Sequence, residues 1–246
     1  MTLLARRSVI GVTSNKGGVG KTVVAVGLAH ALAEKGKVML LDLDLHGPDV
    51  VSRLNLDPSA IEYTVTDKIK PLVYKPNISV FSPDCLTGDP TEGFLARDED
   101  KKAFVRSAFK QLDLQGVKYI VCDMPAGTDE TLFTFLKKWV KFDHLVIVTN
   151  PERSSVLDAE KLINILSAYN LMDRVLGVIE NMSYVVGPRL ERGHRFNSTS
   201  VQMLLCARYG IKYLGDIPEY VSWNGTDTVA SSIYENRIFQ SVAGLI

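Results

Sequence analysis

Short runs of apolar residues alternate along the chain with longer amphipathic segments. Within each run the apolar residues are nearly continuous, which is typical of strands covered on both faces in a parallel sheet. These runs lie at 8–13, 38–42, 78–81, 119–123, 144–149, 175–180 and 212–217. Each of them is predicted to be a buried strand.

The segments between the runs have the spacing of amphipathic helices. After the fifth run, apolar residues recur at intervals of three and four, at Val156, Ala159, Leu162, Ile163, Leu166 and Tyr169. Similar spacing predicts helices at 22–35, 101–112, 130–139, 198–209 and in the C-terminal stretch 231–246. The stretches 52–100 and 183–200 are predicted to be the irregular parts of the chain.

Strands that alternate with helices form βαβ units, whose right-handed crossovers place helices on both faces of a parallel sheet. We therefore predict an α/β fold with a single doubly wound, mostly parallel sheet. No tract rich in Gly, Ser or Pro divides the chain, so residues 1–246 are predicted to form one domain. Ligands of such sheets bind at the carboxyl ends of the strands.

Composition narrows the range of possible partners and of cellular locations. Lys and Arg total 28, as do Asp and Glu, and this balance disfavours nucleic acid as a partner. No uninterrupted apolar stretch is long enough to span a bilayer, so no transmembrane segment is expected. The three cysteines are widely spaced, which argues against a disulfide framework and predicts a reducing, cytoplasmic location.

A glycine-rich loop follows the first predicted strand and precedes the first predicted helix. Its residues Gly20-Lys21-Thr22 match the end of the P-loop pattern, although Asn15 takes the place of the first glycine. In this setting the backbone N–H groups from Gly17 to Val23, including those of Gly18 and Val19, are predicted to cradle the phosphates of ATP. Lys21 is predicted to reach the β- and γ-phosphates, and the Thr22 hydroxyl to coordinate Mg²⁺. The fold is thus predicted to be that of a P-loop NTPase.

Carboxylates follow two other strands at the same predicted edge. Asp123 ends the fourth run and is predicted to face the metal ion, with Gly127 as a flexible point that senses the γ-phosphate. Asp44 is predicted to orient the attacking water, and Asp42 to lie in the outer shell of the metal. The alternative is that Asp42 and Asp44 are ordinary aspartates of a turn after a strand.

Taken together, these motifs resemble those of the Mrp family of MinD/ParA-like ATPases with a deviant Walker A motif. The likeness covers nearly the whole chain. It rests on 16–22 (KGGVGKT), 41–44 (LDLD), Gly47-Pro48, 123–128 (DMPAGT) and 180–184 (ENMSY). Family members act as iron–sulfur cluster carriers or scaffolds, so the resemblance implies a slow Mg-ATP hydrolase involved in cluster assembly or transfer.

The resemblance also implies roles for individual residues. Lys16 would be the signature lysine, which reaches across a homodimer formed in the ATP state to the partner's phosphates. With Lys21 and Asp44 it would form the catalytic set. Asn181 matches a position that surrounds the adenine in this family, and so do Pro218 and Glu219, which are expected in a turn at 217–219.

One family feature is missing from the sequence. Cluster-carrying members have a Cys-x-x-Cys shortly after the ENMSY segment, whereas this chain has no cysteine at 185–190. We predict that Cys122 and Cys206 are small core residues. An iron–sulfur cluster held in the family manner is therefore not expected, although a dimer could still pair two copies of Cys85 or use ligands of a partner.

The same loop carries a basic group made of Arg189, Arg192, His194 and Arg195. This group could meet an acidic partner or the phosphates of a nucleic acid, or it could be a solvated surface loop.

Three functions remain open on this basis. The first is an Mrp-type switch whose partner is an apo iron–sulfur protein or another protein client. The second is a positioning or partitioning ATPase like MinD or ParA. The third is a regulatory ATPase whose nucleotide state is recognised by a protein partner, without any cluster.

Overall fold

The computed structural model describes residues 7–44, 47–66, 68–87, 106–107, 110–127, 141–186, 192–193, 200–220 and 237–246. Its strands are β1 (Ser8–Ser14), β2 (Lys37–Asp42), β3 (Glu62–Tyr63), β4 (Ile69–Lys70), β5 (Leu72–Lys75), β6 (Ile78–Phe81), β7 (Val117–Ala126), β8 (His144–Thr149), β9 (Val175–Val186), β10 (Arg192–Gly193) and β11 (Tyr213–Tyr220).

The described helices are α1 (Lys21–Ala33), α2 (Val50–Arg53), α3 (Asp84–Thr87), α4 (Arg153–Ala168) and α5 (Arg237–Ala243). A π-helix covers Gln202–Ala207, and short 3₁₀ turns cover Pro58–Ala60 and Met172–Arg174.

One mostly parallel sheet organises the molecule, as predicted. Its strand order is β10-β9-β8-β1-β7-β2-β6-β5, and β11 adds to it by pairing with β9. Pairing is parallel throughout except where β5 meets β6 and β10 meets β9. Strand β1 lies in the middle, between β7 and β8, so the loop after it is surrounded by the carboxyl ends of neighbouring strands. The α/β fold class is confirmed, and the prediction of one domain stays a prediction.

Three strands continue by three or more residues beyond their predicted ends. β7 runs on through Pro125 to Ala126, β9 runs on to Val186, and β11 runs on to Tyr220. The prediction that 183–200 is irregular is therefore wrong for 183–186. It failed because β9 and β11 extend together, and each supplies hydrogen-bonding partners for the other beyond the apolar run.

The turn predicted at 217–219 is also wrong, because these residues lie inside β11. Pro218 has no N–H to donate, and the pairing with β9 shifts register between Ile217 and Glu219. The strand absorbs the proline as an irregularity and continues.

The helices agree with the prediction in part. α1 and α4 occupy the predicted positions, and all six residues of the predicted stripe on α4 contribute to or pack against the core. The segment predicted as a helix at 198–209 contains the wider π-helical turn. The stretch 52–100, predicted to be irregular, contains short strands and turns as far as residue 87. The predicted helix at 130–139 and most of the one at 101–112 lie outside the described residues.

Helix α5 packs directly on α1, the helix that follows the glycine-rich loop. Gly27 is the contact point, because a Cβ there would lie 2.3 Å from the ring of Phe239. Phe239 is fully buried, and the Lys35 ammonium donates a hydrogen bond to the Ala243 carbonyl. The two helices therefore form one layer over the sheet.

Candidate functional site

The glycine-rich loop begins at the end of β1 and leads directly into α1. Gly18 and Gly20 have φ values of 76° and 88°, a region that favours glycine. The Val24 N–H donates to the Gly20 carbonyl at 3.1 Å, so the helix starts at the position that the P-loop pattern predicts. A Cβ placed on Gly17 or Gly18 would meet no atom within 4 Å. The concave backbone has room for a ligand, and the N-terminus of α1 favours an anionic one.

Lys21 and Thr22 lie at the base of this loop beside Asp123 of β7. The Thr22 hydroxyl donates a 2.6 Å hydrogen bond to Asp123 Oδ2. Lys21 is buried, and burial lowers the pKa of its ammonium while the charges of Asp123 and Asp44 oppose that shift. The structure thus brings together four residues from three separate motifs of the sequence.

Asp123 has an oxygen atom that suits a cation. Its Oδ1 is buried and has no hydrogen-bond partner among the described residues. Burial raises the pKa of Asp123, and its hydrogen bond with Thr22 and the charge of Lys21 act in the opposite direction. A buried carboxylate with an unpaired oxygen is stabilised in its ionised form by a positive charge, so this residue fits a site for Mg²⁺.

Asp42 is fully buried and holds the loop that follows β2. Its Oδ1 accepts the Asp44 N–H at 3.0 Å, and its Oδ2 accepts the N–H groups of Asp49 and Val50 at 3.1 and 3.2 Å. The Ser82 hydroxyl, at the end of β6, also donates to Oδ2, at 3.2 Å. Burial, and then the charge of Asp123, raise the pKa of Asp42. The predicted place of Asp42 in the outer metal shell stays a prediction, and the hydrogen bonds add a role in holding this loop.

Asp44 is half-buried and stands on the same loop, facing the site. Its Oδ1 accepts the Gly47 N–H at 3.1 Å. Its negative charge acts on both Lys21 and Asp123, which shows that it lies at the same edge of the sheet. His46, which precedes Gly47, lies outside the described residues. On the far side of the loop, Gly127 follows β7 with a φ of 98°, and its N–H donates to the Ser14 carbonyl.

Lys16 lies on the outer side of the glycine-rich loop and contacts its own chain. Its ammonium lies 2.6 Å from Glu152 Oε2 and 2.8 Å from Ser154 Oγ, at the start of α4. Within the described structure, the signature lysine is therefore engaged in cis. Its predicted contact with a second copy of the chain stays a prediction.

Asn181 contacts the glycine-rich loop from the side of β9. Its Nδ2 donates to the Val19 carbonyl at 2.8 Å, and the residue is buried. Pro218 and Glu219 lie on the adjacent strand β11, where Ile217 pairs with Asn181. The three residues predicted to surround the adenine thus share one corner beside the loop, and their contact with adenine stays a prediction.

All three cysteines are buried and unpaired, at separate places in the fold. Burial raises the pKa of Cys85 and of Cys206 to about 11, and burial also raises that of Cys122. The thiolate form needed for a metal ligand is therefore disfavoured at each of them. Among the residues that the structure describes, no group of three or more His, Cys, Asp and Glu side chains could hold a metal ion.

Several contacts of the site were not foreseen from the sequence. Glu152, Ser154 and Ser82 hold Lys16 or Asp42, yet none of them belongs to a recognisable motif. Glu152 follows Pro151 directly after β8, so its place at a strand's carboxyl end was the one available signal. Of the basic group at 189–195, only the backbone of Arg192 is described, and the remainder lies outside the described residues.

The profile of the family described as "ParA: NUBPL iron-transfer P-loop NTPase" matches residues 5–239. The chain belongs to this family. It is 34% identical over 187 residues to an iron-sulfur cluster carrier protein of Synechocystis, a match that covers 75% of this chain and 52% of the relative. It is also 34% identical over 182 residues to a cytosolic Fe-S cluster assembly factor NUBP1 homolog of Brugia malayi, covering 72% and 58%. The chain thus spans little more than half the length of these two relatives.

Solved structures share the fold. A nucleotide-binding protein from Archaeoglobus fulgidus in complex with ADP superposes with a TM-score of 0.72 at 24% identity, covering 96% of this chain and 87% of that one. The septum site-determining protein MinD of Pyrococcus horikoshii, complexed with Mg-ADP, superposes with a TM-score of 0.62 at 23% identity, covering 96% and 94%. These likenesses confirm the P-loop NTPase fold.

No helix among the described residues has both the length and the apolar character needed to cross a membrane.

Proposed function

We propose that this chain binds Mg-ATP and hydrolyses it slowly as a homodimeric switch, and that the switch serves iron–sulfur cluster assembly or transfer. The observation that carries the proposal is the 2.6 Å contact of Thr22 with Asp123, beside buried Lys21 and beneath an open glycine-rich loop. This combination supplies backbone donors, one cation and a metal-facing carboxylate at a single point.

Each group at this point has a separate task in binding. Backbone N–H groups from Gly17 to Val23 would donate to the phosphate oxygens, with Gly18, Val19 and Gly20 shaping the loop. The Lys21 ammonium, already desolvated by burial, would contact the β- and γ-phosphates as a point charge. Thr22 would bind Mg²⁺ through its hydroxyl, and Asp123 and Asp42 would lie in its inner or outer shell. When bound, Mg²⁺ would neutralise the negative charge that develops on the phosphate oxygens.

Hydrolysis needs a group that orients water, and we assign this role to Asp44. It lies at the same edge as Lys21 and is carried by the loop that Asp42 fixes through three backbone N–H groups. Asp44 would accept a hydrogen bond from the attacking water, and Gly127 would allow the loop after β7 to adjust to the γ-phosphate. With Lys21 and Lys16, Asp44 completes the proposed catalytic set.

Lys16 connects the site to a second copy of the chain. Its side chain is 31% exposed and its contacts in cis are with exposed or surface groups, so it can leave them. In the ATP state it would reach the phosphates bound by the other copy, which would make ATP a part of the dimer interface. Asn181, Pro218 and Glu219 would lie beside the adenine.

The cluster part of the proposal rests on the family. The Synechocystis relative is named a carrier of iron–sulfur clusters, and the Brugia malayi relative a cytosolic assembly factor for them. By analogy we place this chain in the cytoplasm. Because its own thiols are buried with raised pKa values, a cluster would be cargo held by ligands of a protein client, such as an apo iron–sulfur protein.

The burial of the cysteine thiols also favours a second candidate function, a regulatory ATPase. A protein partner would recognise its nucleotide state, and no cluster would be involved. One experiment separates the two. The protein is purified anaerobically with ATP and Mg²⁺ from cells that contain the client pool, and its mass by light scattering is recorded together with iron and sulfide content. An ATP-dependent dimer that carries iron and sulfide supports the carrier function, whereas an ATP-dependent dimer without metal supports the regulatory one.

A matched pair of variants tests the switch itself. Lys16→Ala should retain ATP binding and lose the ATP-dependent dimer. Lys70→Ala removes another lysine that is ion-paired on the surface, with Glu62, and should dimerise normally. An ATP-induced dimer of Lys16→Ala equal to that of the control would reject the role of Lys16, and an unmodified chain that does not bind ATP would reject the whole proposal.

A further inference from the structure

Asn181 makes a contact that adenine recognition does not require. Its Nδ2 donates to the Val19 carbonyl at 2.8 Å, across 162 positions of sequence. Only 3% of the residue is exposed, so the bond is shielded from competing water. Val19 stands between Gly18 and Gly20, whose positive φ values form the bend of the glycine-rich loop. The amide thus holds the loop at its most bent point.

The loop and the side chain are packed as closely as their atoms allow. A Cβ on Gly20 would lie 2.1 Å from Asn181 Nδ2 and 3.3 Å from its Cγ, and 3.8 Å from Met182 Cε. No side chain other than hydrogen fits at position 20 without displacing Asn181. A shift of the loop backbone at this point would therefore push against β9 or pull on it.

Strand β9 does not end at this contact. Met182 has a φ of 54°, and the strand continues to Val186 with β11 along one side and β10 along the other. Glu219 of β11 pairs with Val185 after a shift of register, so the sheet holds the far end of the four residues Met182–Val185 beyond the loop contact. We call these residues the β9 extension.

We propose that Asn181 is a positioning residue: it fixes the glycine-rich loop in its phosphate-binding form, and it couples the position of that loop to the β9 extension. Phosphates that draw the loop backbone toward them move the Val19 carbonyl, and the hydrogen bond passes the displacement to β9. The coupling is reciprocal, so a partner bound to the β9 extension changes the affinity of the loop for nucleotide. This inference rests on the proposed binding of ATP.

The test uses Asn181→Leu, which nearly keeps the size of the side chain and removes the donor. Ser183→Ala is the matched control, because Ser183 lies two positions from Asn181, donates its hydroxyl to Glu180 Oε1, and is not bonded to the loop. For the wild-type chain and both variants, the affinities for ATP and for GTP are measured by calorimetry. Amide hydrogen exchange at Met182–Val185 is recorded for the same three proteins with and without ATP. Where Asn181→Leu does not fold, Asn181→Ser takes its place, since its shorter side chain cannot span the distance to Val19.

We expect Asn181→Leu to lower the affinities for ATP and GTP by a similar factor, about tenfold, because a buried carbonyl loses its donor. ATP should slow exchange at the β9 extension in the wild-type chain and in Ser183→Ala, but not in Asn181→Leu. A loss confined to ATP, with the exchange response intact, would instead identify an adenine contact and overturn the inference. ATP binding by the wild-type chain with no response at Met182–Val185 would overturn the coupling alone, whereas failure to bind ATP would overturn the proposed function as well.

Discussion

The Lys16 ammonium and the Glu152 carboxylate are 2.6 Å apart, although 136 positions separate them in the sequence. Ser154 adds a second contact from the first turn of α4. The Glu152 side chain is 58% exposed, and ion pairs at such sites contribute at most about 1 kcal/mol. The contact is therefore strong enough to orient the lysine and weak enough to be exchanged for a phosphate group.

Weakening this ion pair should make dimerisation easier. In Glu152→Gln the lysine loses its anionic partner, so less free energy is needed to release it. We expect the ATP concentration at half-maximal dimerisation to fall by up to about fivefold, as follows from an exposed ion pair. Light scattering during an ATP titration measures this shift. Glu62→Gln, which removes the partner of Lys70, is the control, and an unchanged or higher midpoint in Glu152→Gln would contradict the prediction.

Removing the Thr22 hydroxyl should affect binding chiefly when Mg²⁺ is present. Thr22→Val keeps the shape of the side chain but takes away both the proposed metal ligand and the donor to Asp123 Oδ2. We expect the affinity for Mg-ATP to fall by at least about tenfold and that for ATP in EDTA to change less. Calorimetry with and without Mg²⁺ gives both values. Thr66→Val, on an exposed turn, is the control. Equal losses in the two conditions would separate Thr22 from the metal.

Asp42 and Ser82 should differ in their importance for the loop after β2. Ser82→Ala removes one of the four hydrogen bonds to the Asp42 carboxylate and should lower the free energy of unfolding by about 1 kcal/mol. Asp42→Ala leaves three backbone N–H groups without their acceptor and should cost about 3 kcal/mol or more. Urea unfolding measures the difference. Comparable losses in the two variants would show that the carboxylate does not anchor the loop.

The contact between α1 and α5 should show strong coupling in a double-mutant cycle. Gly27→Ala places a Cβ 2.3 Å from the Phe239 ring and should destabilise the protein by about 1–3 kcal/mol. Combined with Phe239→Leu, which makes room, the same change should cost much less than in the wild-type background. Unfolding free energies of the four proteins give the coupling. Strict additivity would mean that the helices do not meet at Gly27 and Phe239.

His30 should make stability depend on pH in the mildly acidic range. Burial, together with the Lys75 ammonium 3.5 Å from its Nδ1, lowers the pKa of His30 from 6.5 to about 4. Between these values the unfolded chain binds the proton and the folded chain does not, so stability should fall as the pH drops from 6.5 toward 4. His30→Gln removes this contribution. The difference in unfolding free energy between wild type and His30→Gln, measured across that range, should therefore narrow or reverse with falling pH, and a constant difference would contradict the pKa shift.

The sequence predicts which residues come together at the centre of the candidate site, because local rules govern their placement. A glycine bend between a strand and a helix specifies Gly20, Lys21 and Thr22, and a parallel sheet brings Asp123 to the same edge. The positions of these residues can be predicted from motifs and topology alone. The contacts that surround them cannot.

The contacts that hold the centre could not be predicted, because each joins distant segments through the detailed packing of side chains. The bond from Asn181 to Val19 depends on how β9 passes the loop, and the bond from Ser82 to Asp42 on how β6 ends beside β2. The sequence places both residues near the carboxyl edge of the sheet. It does not say that an asparagine there turns its amide toward a carbonyl, or that the strand continues past it.

The packing of Phe239 on Gly27 also bears on how the protein is made. Helix α1, which follows the glycine-rich loop, is synthesised before the residues that cover it, because Phe239 lies more than two hundred positions downstream of Gly27. Until α5 has been synthesised, the surface around Gly27 is open to other apolar chains, so the nascent chain needs a chaperone over that interval. A ribosome stalled shortly before residue 237 would thus carry a chain with every residue of the glycine-rich loop and without the helix that covers α1.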